Sequence, residues 1–333
     1  MDKVLVQEFR GELLEAEHRG HICIVNDKEE VIYEVGDADF MTYFRSSAKP
    51  IQAIPVMKGG IKEKYDIADK DFVIMTASHR AQPCHVEAVE RIMKKMNIKD
   101  EDFVCLPTYP LMESAKEELL KNKMPMRSIY HNCSGKHLGI MALCRLLDVS
   151  IEDYYKLENK AQQEILEHIS LMGHYPKKDI KIGIDGCGVP VFAMPLKNLA
   201  ISYMRMACPD LIEDESTSEA VKKITKLMNE YPEMVSGTNL ICPTLLKDSN
   251  IVAKGGAKGT YCFGLRKERL GISIKLMDGT EEPWHYVIAE ILEQIGYENK
   301  ETIERLKNVF PAEIRNATNE VVGINKCAFS LKK

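Results

Sequence analysis

Nowhere does this chain run apolar for the roughly eighteen residues a membrane-spanning helix needs. Its first twenty residues, MDKVLVQEFRGELLEAEHRG, mix acids and arginines and contain no apolar run of signal-peptide length. Charge of one sign is never concentrated: 45 Lys+Arg against 50 Asp+Glu leave a net charge of -5, which argues against a surface dominated by nucleic-acid binding. The 10 cysteines include no C-x-x-C pair and no regular spacing, so no disulfide framework is expected and most read as small buried hydrophobes. Internal repeats and low-complexity linkers are absent. The glycine-rich VAKGGAKGTY, Val252 to Tyr261, lacks the Gly-Lys-Ser/Thr ending of a phosphate-binding loop, which discounts a nucleotide site. These absences leave the expectation of a cytoplasmic protein that acts on a small molecule, with neither nucleic acid nor membrane as partner.

What is present suits a sizeable core. The 333 residues are 45% hydrophobic and 29% charged, ordinary for a globular chain that forms one large domain or two lobes. His21 to Asn26, a turn at Asp27 and Lys28, and Val31 to Val35 closed by Gly36 read as a hairpin. Tyr261 to Leu265 and Gly271 to Met277 read as paired strands, and Val321 to Phe329 as the last strand. Between them helices are expected from Pro83, with Val86, Val89, Met93 and Met96 on one face, and over Glu113 to Lys121 and Ile151 to Leu171. The last of these has Ser150 and Asp153 placed as a capping box. Further helices are expected within His131 to Leu147, over Glu219 to Glu230, and from Trp284 to Ile295. The pattern is α/β of the α+β kind: an antiparallel sheet built from both chain ends, about 1–45 and 250–333, flanked by helices, with a helical middle lobe at about 46–249. All of it is expected to serve one catalytic domain.

Chemistry concentrates first at YFRSSAKPIQA, Tyr43 to Ala53, where Ser46 and Lys49 stand three residues apart at a helix start marked by Pro50. Such a pair can act as nucleophile and base, provided the lysine loses its proton. Burial, or a neighbouring cation such as Arg45, lowers its pKa. Alone the spacing is weak, since an N-cap serine followed by a solvated lysine is the commoner outcome. The apolar run Asp71 to His79 delivers Ser78 and His79 from a buried segment. Cys133 and Lys136 are again three apart at a helix start, and Gly183, Gly186 and Gly188 surround Asp185 and Cys187, a density that implies tight turns or close backbone approach. His18 and His21 have no nearby residues to complete a metal-ligand set.

Taken together, EAEHRGH, FRSSAKPIQ, TASH, HNCSGKHLG, IDGCGVPVFAMPL, AKGGAKG and RNATNEVVG, in this order from about Leu13 to Asn325, resemble the rhizobial-type L-asparaginases, the asparaginase II family. The resemblance implies a fold like that of the serine beta-lactamases and glutaminases, and a homodimer. It implies two dyads, Ser46 with Lys49 and Ser78 with Lys254, and a zinc site of Cys133, Lys136 and Cys187. Hydrolysis of L-asparagine through a serine acyl-enzyme follows as the expected reaction, with Ser46 attacking and Ser78 and Lys254 relaying protons. Spacing does not decide which serine is acylated. By charge complementarity Arg45 and Asp185 are candidates to hold the carboxylate and ammonium of an amino-acid amide. The chain departs from the family where Ser-Gly-Glu becomes Arg80-Ala81-Gln82, where Lys258 replaces a glutamate, and where Gly237-Thr238-Asn239-Leu240 replaces Gly-Thr-Gly-Arg. These changes bear on substrate identity more than on reaction class, and leave open another amide substrate or a non-catalytic zinc- or ligand-binding protein.

Overall fold

A computed structural model describes residues 1–332. The chain divides into two compact units, one made of Met1–Ser47, Met194–Ala207 and residues from Asn239 onward, the other of Ala48–Ala193 and Cys208–Thr238.

The first unit is built on the expected antiparallel sheet from both chain ends. Its strands run in the order Glu313–Arg315, Val321–Cys327, Lys3–Arg10, Leu13–Val25, Leu270–Leu276, Thr260–Leu265, Ile251–Gly255. Leu13–Val25 is long enough to take two partners along one edge: Lys3–Arg10 beside its first part and Val31–Val35 beside Ile22 to Val25. The hairpin read from the sequence is this second pairing. Its first strand extends back to Leu13 because residues 13–19 form an exposed arm rather than core, and carry little apolar signal.

Ile22, Ile24, Phe263, Ile272 and Ile274 are fully buried, and the helix Leu196–Ala207 packs on the sheet over them. Its approach is close: a Cβ at Gly271 would lie 2.0 Å from the Ala200 carbonyl oxygen. Glycine there is a packing requirement. This helix falls inside the stretch expected to form the helical lobe, yet belongs to the sheet unit.

Asp248 ties the loop before strand Ile251–Gly255 to the helix Lys300–Val309. Its Oδ2 accepts from Tyr297 Oη (2.7 Å), Asn299 Nδ2 (2.8 Å) and Thr302 Oγ1 (2.7 Å), and its Oδ1 from the Asn250 backbone N–H (3.0 Å). Burial opposes ionisation, but these hydrogen bonds outweigh it and hold the carboxyl below its usual pKa. The stability it contributes is therefore complete above the ordinary aspartate pKa and lost as pH falls through the lowered folded value. Asp248→Asn is expected to cost about 1–3 kcal/mol at neutral pH. In melts followed from pH 7 to pH 3, the gap to wild type should narrow as the solution is acidified; a gap constant across that range would rule this account out.

The second unit is mostly helical: Pro83–Met96, Glu113–Lys121, Ser134–Leu146, Lys160–Gly173 and Glu215–Glu230, with residues 190–193 pairing antiparallel to the strand Lys181–Ile184. Ser134–Leu146 is buried on all sides from Ser134 to Cys144, as a helix through the middle of a domain must be. One expectation is corrected. Residues 151–159 form turns, and the helix starts at Lys160 because Asn159, not Ser150, caps it. The Asn159 side chain accepts from Ala161 N (2.9 Å) and donates to Asp153 (2.7 Å), engaging the residue expected to complete the capping box. No helix among the described residues is long and apolar enough to cross a membrane.

Candidate active site

In the helical unit the chemistry gathers around Lys49. Lys49–Gln52 is a single helical turn that follows a 3-10 turn over Arg45–Ala48, and Pro55 restarts the helix at Ile54–Lys58. The Lys49 side chain is 1% exposed. Its Nζ lies 2.7 Å from the Ala77 carbonyl oxygen, 3.3 Å from that of Asn132, and 3.0 Å from Ser78 Oγ. Burial lowers the pKa of this amine; the Cys133 sulfur draws it back up, and Lys136 lowers it again.

The segment that presents Ser78 is rigid for clear reasons. Residues 72–77 are buried, the chain turns to an extended conformation at Ala77, and the Ser78 N–H donates to the Val235 carbonyl at 2.8 Å. His79 pins it further. Its Nδ1 accepts from Ala81 N (3.1 Å), which leaves Nε2–H to donate to Ser134 Oγ (2.8 Å), and Ser134 in turn donates to the Ile129 carbonyl (3.0 Å). Burial first, then the nearby His85 and Lys49, push the His79 pKa well below the usual histidine value, so it stays neutral and holds position. His85 is placed likewise, accepting from Gln82 N (3.1 Å) and donating to the Glu233 carbonyl (2.9 Å).

Beyond Asn132 begin the residues expected to hold metal. Lys136 Nζ lies 3.0 Å from Cys187 Sγ and 3.9 Å from Asp185 Oδ2. The hydrogen bond from Cys187, followed by Lys49 and Lys136, draws the Cys133 pKa well down against the effect of burial, while Cys187 is pushed up. Burial disfavours charge on Lys136, but the sulfurs of Cys187 and Cys133 and the Asp185 carboxylate outweigh it and raise its pKa. Asp185 sits at the tight turn, its backbone N–H donating to the Val189 carbonyl (2.8 Å) and its Oδ1 accepting from Gly186 N (2.9 Å). Among the described residues no three His, Cys, Asp or Glu side chains converge as metal ligands. Two sulfurs and a lysine amine nevertheless form a donor set that suits zinc and leaves a position open.

The sheet unit holds the other expected residues. Ser46 is buried in the 3-10 turn. That turn is anchored by Ser47 Oγ donating to the Phe44 carbonyl (2.7 Å) and by Tyr203 Oη donating to the Ser47 carbonyl (2.7 Å). Lys254, 1% exposed on strand Ile251–Gly255, donates to the Gly255 carbonyl at 2.6 Å. Its cross-strand partner Cys262 lies 3.7 Å from Ser47 Oγ, and burial raises that thiol to about 12. Arg45 is half-buried beside Ser46.

Each expected dyad thus takes one residue from each unit, whereas the hydroxyl–amine contact inside a unit is Ser78 with Lys49. Nothing in the spacing signalled that pair, which is 29 residues apart, nor the carbonyls of Ala77 and Asn132 that hold the amine. Of the departures noted in the sequence, Gln82 clasps Thr238, accepting from its N–H (3.1 Å) and donating to its Oγ1 (2.9 Å). Leu240 is half-buried and Lys258 is exposed.

Among curated proteins none matches this chain. Of solved structures, one from Bacteroides dorei DSM 17855, described as a beta-lactamase, shares 11% identity over 83% of this chain and 93% of its own, with a TM-score of 0.43. A beta-lactamase from Mycobacterium bovis shares 11% over 82% and 94%, also at 0.43. Over residues 6–327 the sequence matches the family L-asparaginase II. The chain belongs to that family, and with it to the asparaginase-type amidohydrolases.

Proposed function

We propose that this protein hydrolyses the side-chain amide of L-asparagine to L-aspartate and ammonia through a serine acyl-enzyme. What carries the reading is the setting of the Lys49 amine between two carbonyls and one hydroxyl. A neutral amine has two N–H bonds and one lone pair. Donation to Ala77 and Asn132 leaves the lone pair to take the Ser78 proton. As that proton moves to Nζ, Ser78 Oγ adds to the amide carbonyl; Lys49 then returns the proton to the departing nitrogen and ammonia leaves. Water, deprotonated by the same amine, releases aspartate. Asp185, in the same unit, is the group we assign to the substrate's ammonium.

Cys133, Lys136 and Cys187 are the residues that would hold zinc. Bound there, the ion supplies a Lewis acid that orients a polar group of the substrate. Purified protein dialysed against buffer is expected to retain about one zinc per chain and Cys187→Ala none. Retention should weaken on acidification, because Lys136 and the cysteine pair must give up protons to bind. Equal metal content in the two proteins would remove the site.

The test of the reaction is ammonia release from L-asparagine and L-glutamine, followed by mass spectrometry of the trapped acyl group. Acylation of the peptide carrying Ser78 is the expected result. Acylation of Ser46, the nucleophile implied by the family resemblance, would reverse the two serines, and no release from either amide would defeat the reading.

A further inference from the structure

We propose that Cys133 and Cys187 are a redox-active pair that hydrogen peroxide closes to a disulfide. The inference does not depend on the amide hydrolysis proposed above.

The pair is assembled within the helical unit. Cys133 caps the start of helix Ser134–Leu146, its backbone N–H donating to His131 Nδ1 (3.1 Å). Cys187 stands in a tight turn closed by two backbone hydrogen bonds, from Asp185 N to the Val189 carbonyl (2.8 Å) and from Gly188 N to the Asp185 carbonyl (2.9 Å). Turn and cap bring the two thiols into hydrogen-bonding contact with each other. Lys136, on the first turn of the same helix, donates from Nζ to Cys187 Sγ at 3.0 Å. The remaining neighbours of the sulfurs are carboxamide and carboxylate oxygens: Asn132 Oδ1 lies 3.7 Å from Cys133 Sγ and Asp185 Oδ2 lies 4.0 Å from Cys187 Sγ.

Both cysteines are buried without being sealed, at 5% and 4% exposure, whereas Cys23, Cys144 and Cys262 are at 0%. Gly186, next to Cys187, is exposed, and a Cβ there would meet no atom within 4 Å. Such an opening suits hydrogen peroxide, little larger than water, and not a bulky disulfide reagent. Closing the bond draws the sulfurs to about 2 Å, a movement taken up by the two side chains and by a turn with glycine on each side of Cys187.

The reaction runs in two steps. Cys133 sulfur attacks one oxygen of the peroxide; the S–O bond forms, the O–O bond breaks, and the thiol proton leaves with the other oxygen as water. Cys187 sulfur then attacks Cys133 sulfur; the S–S bond forms, the S–O bond breaks, and the hydroxyl departs as water with the Cys187 proton. The two thiols give up two electrons, and the peroxide is reduced to two waters. Lys136 is the cation placed to support Cys187 sulfur as its proton leaves. A zinc ion needs both sulfurs as thiolates and a disulfide offers neither, so closure removes two of the three protein donors at once.

Metal-free protein is to be treated with hydrogen peroxide, alkylated and digested without reduction. The expected product is the Cys133 peptide joined to the Cys187 peptide, with about two thiols lost per chain and both regained on reduction. Cys105 is the rival partner, buried and close enough to feel the charge of Cys133. Cys105→Ser should close as wild type does, while Cys187→Ser should stop at a sulfenic acid on Cys133, trapped with dimedone. A Cys105–Cys133 bond, a link of Cys187 to Lys136 through oxygen, or oxidised thiols with no linked peptide would overturn the proposal. After dialysis against zinc, reduced protein should retain about one ion per chain and oxidised protein none. Equal retention by the two forms at about one ion would also overturn it. If neither form takes up zinc, it is the zinc assignment that fails, and the disulfide is decided by the peptide map.

Discussion

Lys49→Met is expected to lower kcat on asparagine by about a thousandfold with little change in KM, because the amine acts on the proton of the nucleophile rather than on bound substrate. The apolar stem of methionine fills the space of a side chain that is 1% exposed, and melting should show the fold intact. A sharper comparison is Lys49→Arg. Arginine keeps the positive charge and can donate to Ala77 and Asn132, but it does not give up its proton at any working pH. If Lys49 is a base, the arginine variant fails as badly as methionine; if the lysine only holds charge or position, arginine restores a large part of the activity. The second outcome would end the mechanism. Combined with Ser78→Ala, Lys49→Met should add almost nothing to the loss, since a nucleophile and its base act as one unit.

The other large effect is expected far from any reacting atom. Gly135 lies in the first turn of helix Ser134–Leu146, where a Cβ would fall 2.0 Å from the Ile74 carbonyl oxygen and 2.7 Å from its carbon. Both are backbone atoms of a buried 3-10 turn, Val73–Thr76, and neither can swing aside as a side-chain end would. In Gly135→Ala the helix must therefore back away from that turn. We expect a loss of about 3 kcal/mol or more, a melting temperature lower by roughly 5–10 °C, and reduced activity in what remains folded. The coupling to activity has a direct cause. Cys133 and Lys136 travel with the helix, while Ala77 and Ser78 follow the turn, so the two sides of the Lys49 site separate. A melting temperature unchanged from wild type would contradict this close packing.

The sequence carried the parts of this fold that depend on local pattern. The hairpin ending at Val35, the helix Glu113–Lys121 and the closing strand from Val321 each follow from periodicity and turn residues close by. What was not legible depends on distant contacts. The helix Leu196–Ala207 joins the sheet because Gly271, some seventy residues later, lets it approach, and no window of sequence contains both. The false start at Ile151 has a similar origin: Asn159 draws the Asp153 side chain into its own cap. At the site, Ser46 and Lys49 stood out because three-residue spacing is visible in a string of letters. The contact of Lys49 with Ser78 was hidden because it requires the buried turn at Val73–Thr76 to fold back on the helix bearing Lys49. Backbone carbonyls carry no sequence signature, so the two that fix the amine were hidden as well.

The pairing of Val321–Cys327 with Lys3–Arg10 sets an order of assembly during synthesis. More than three hundred residues separate the two strands, so the edge of Lys3–Arg10 that will receive its partner stays open while all of them are synthesised. The helical unit, drawn mostly from one continuous stretch between Ala48 and Ala193, has by then left the ribosome and can fold on local contacts. A nascent chain of this protein therefore displays an open strand edge after the helical unit has had time to fold, the kind of edge that invites pairing with another chain. Its dependence on chaperones should be greatest just before Val321–Cys327 emerges.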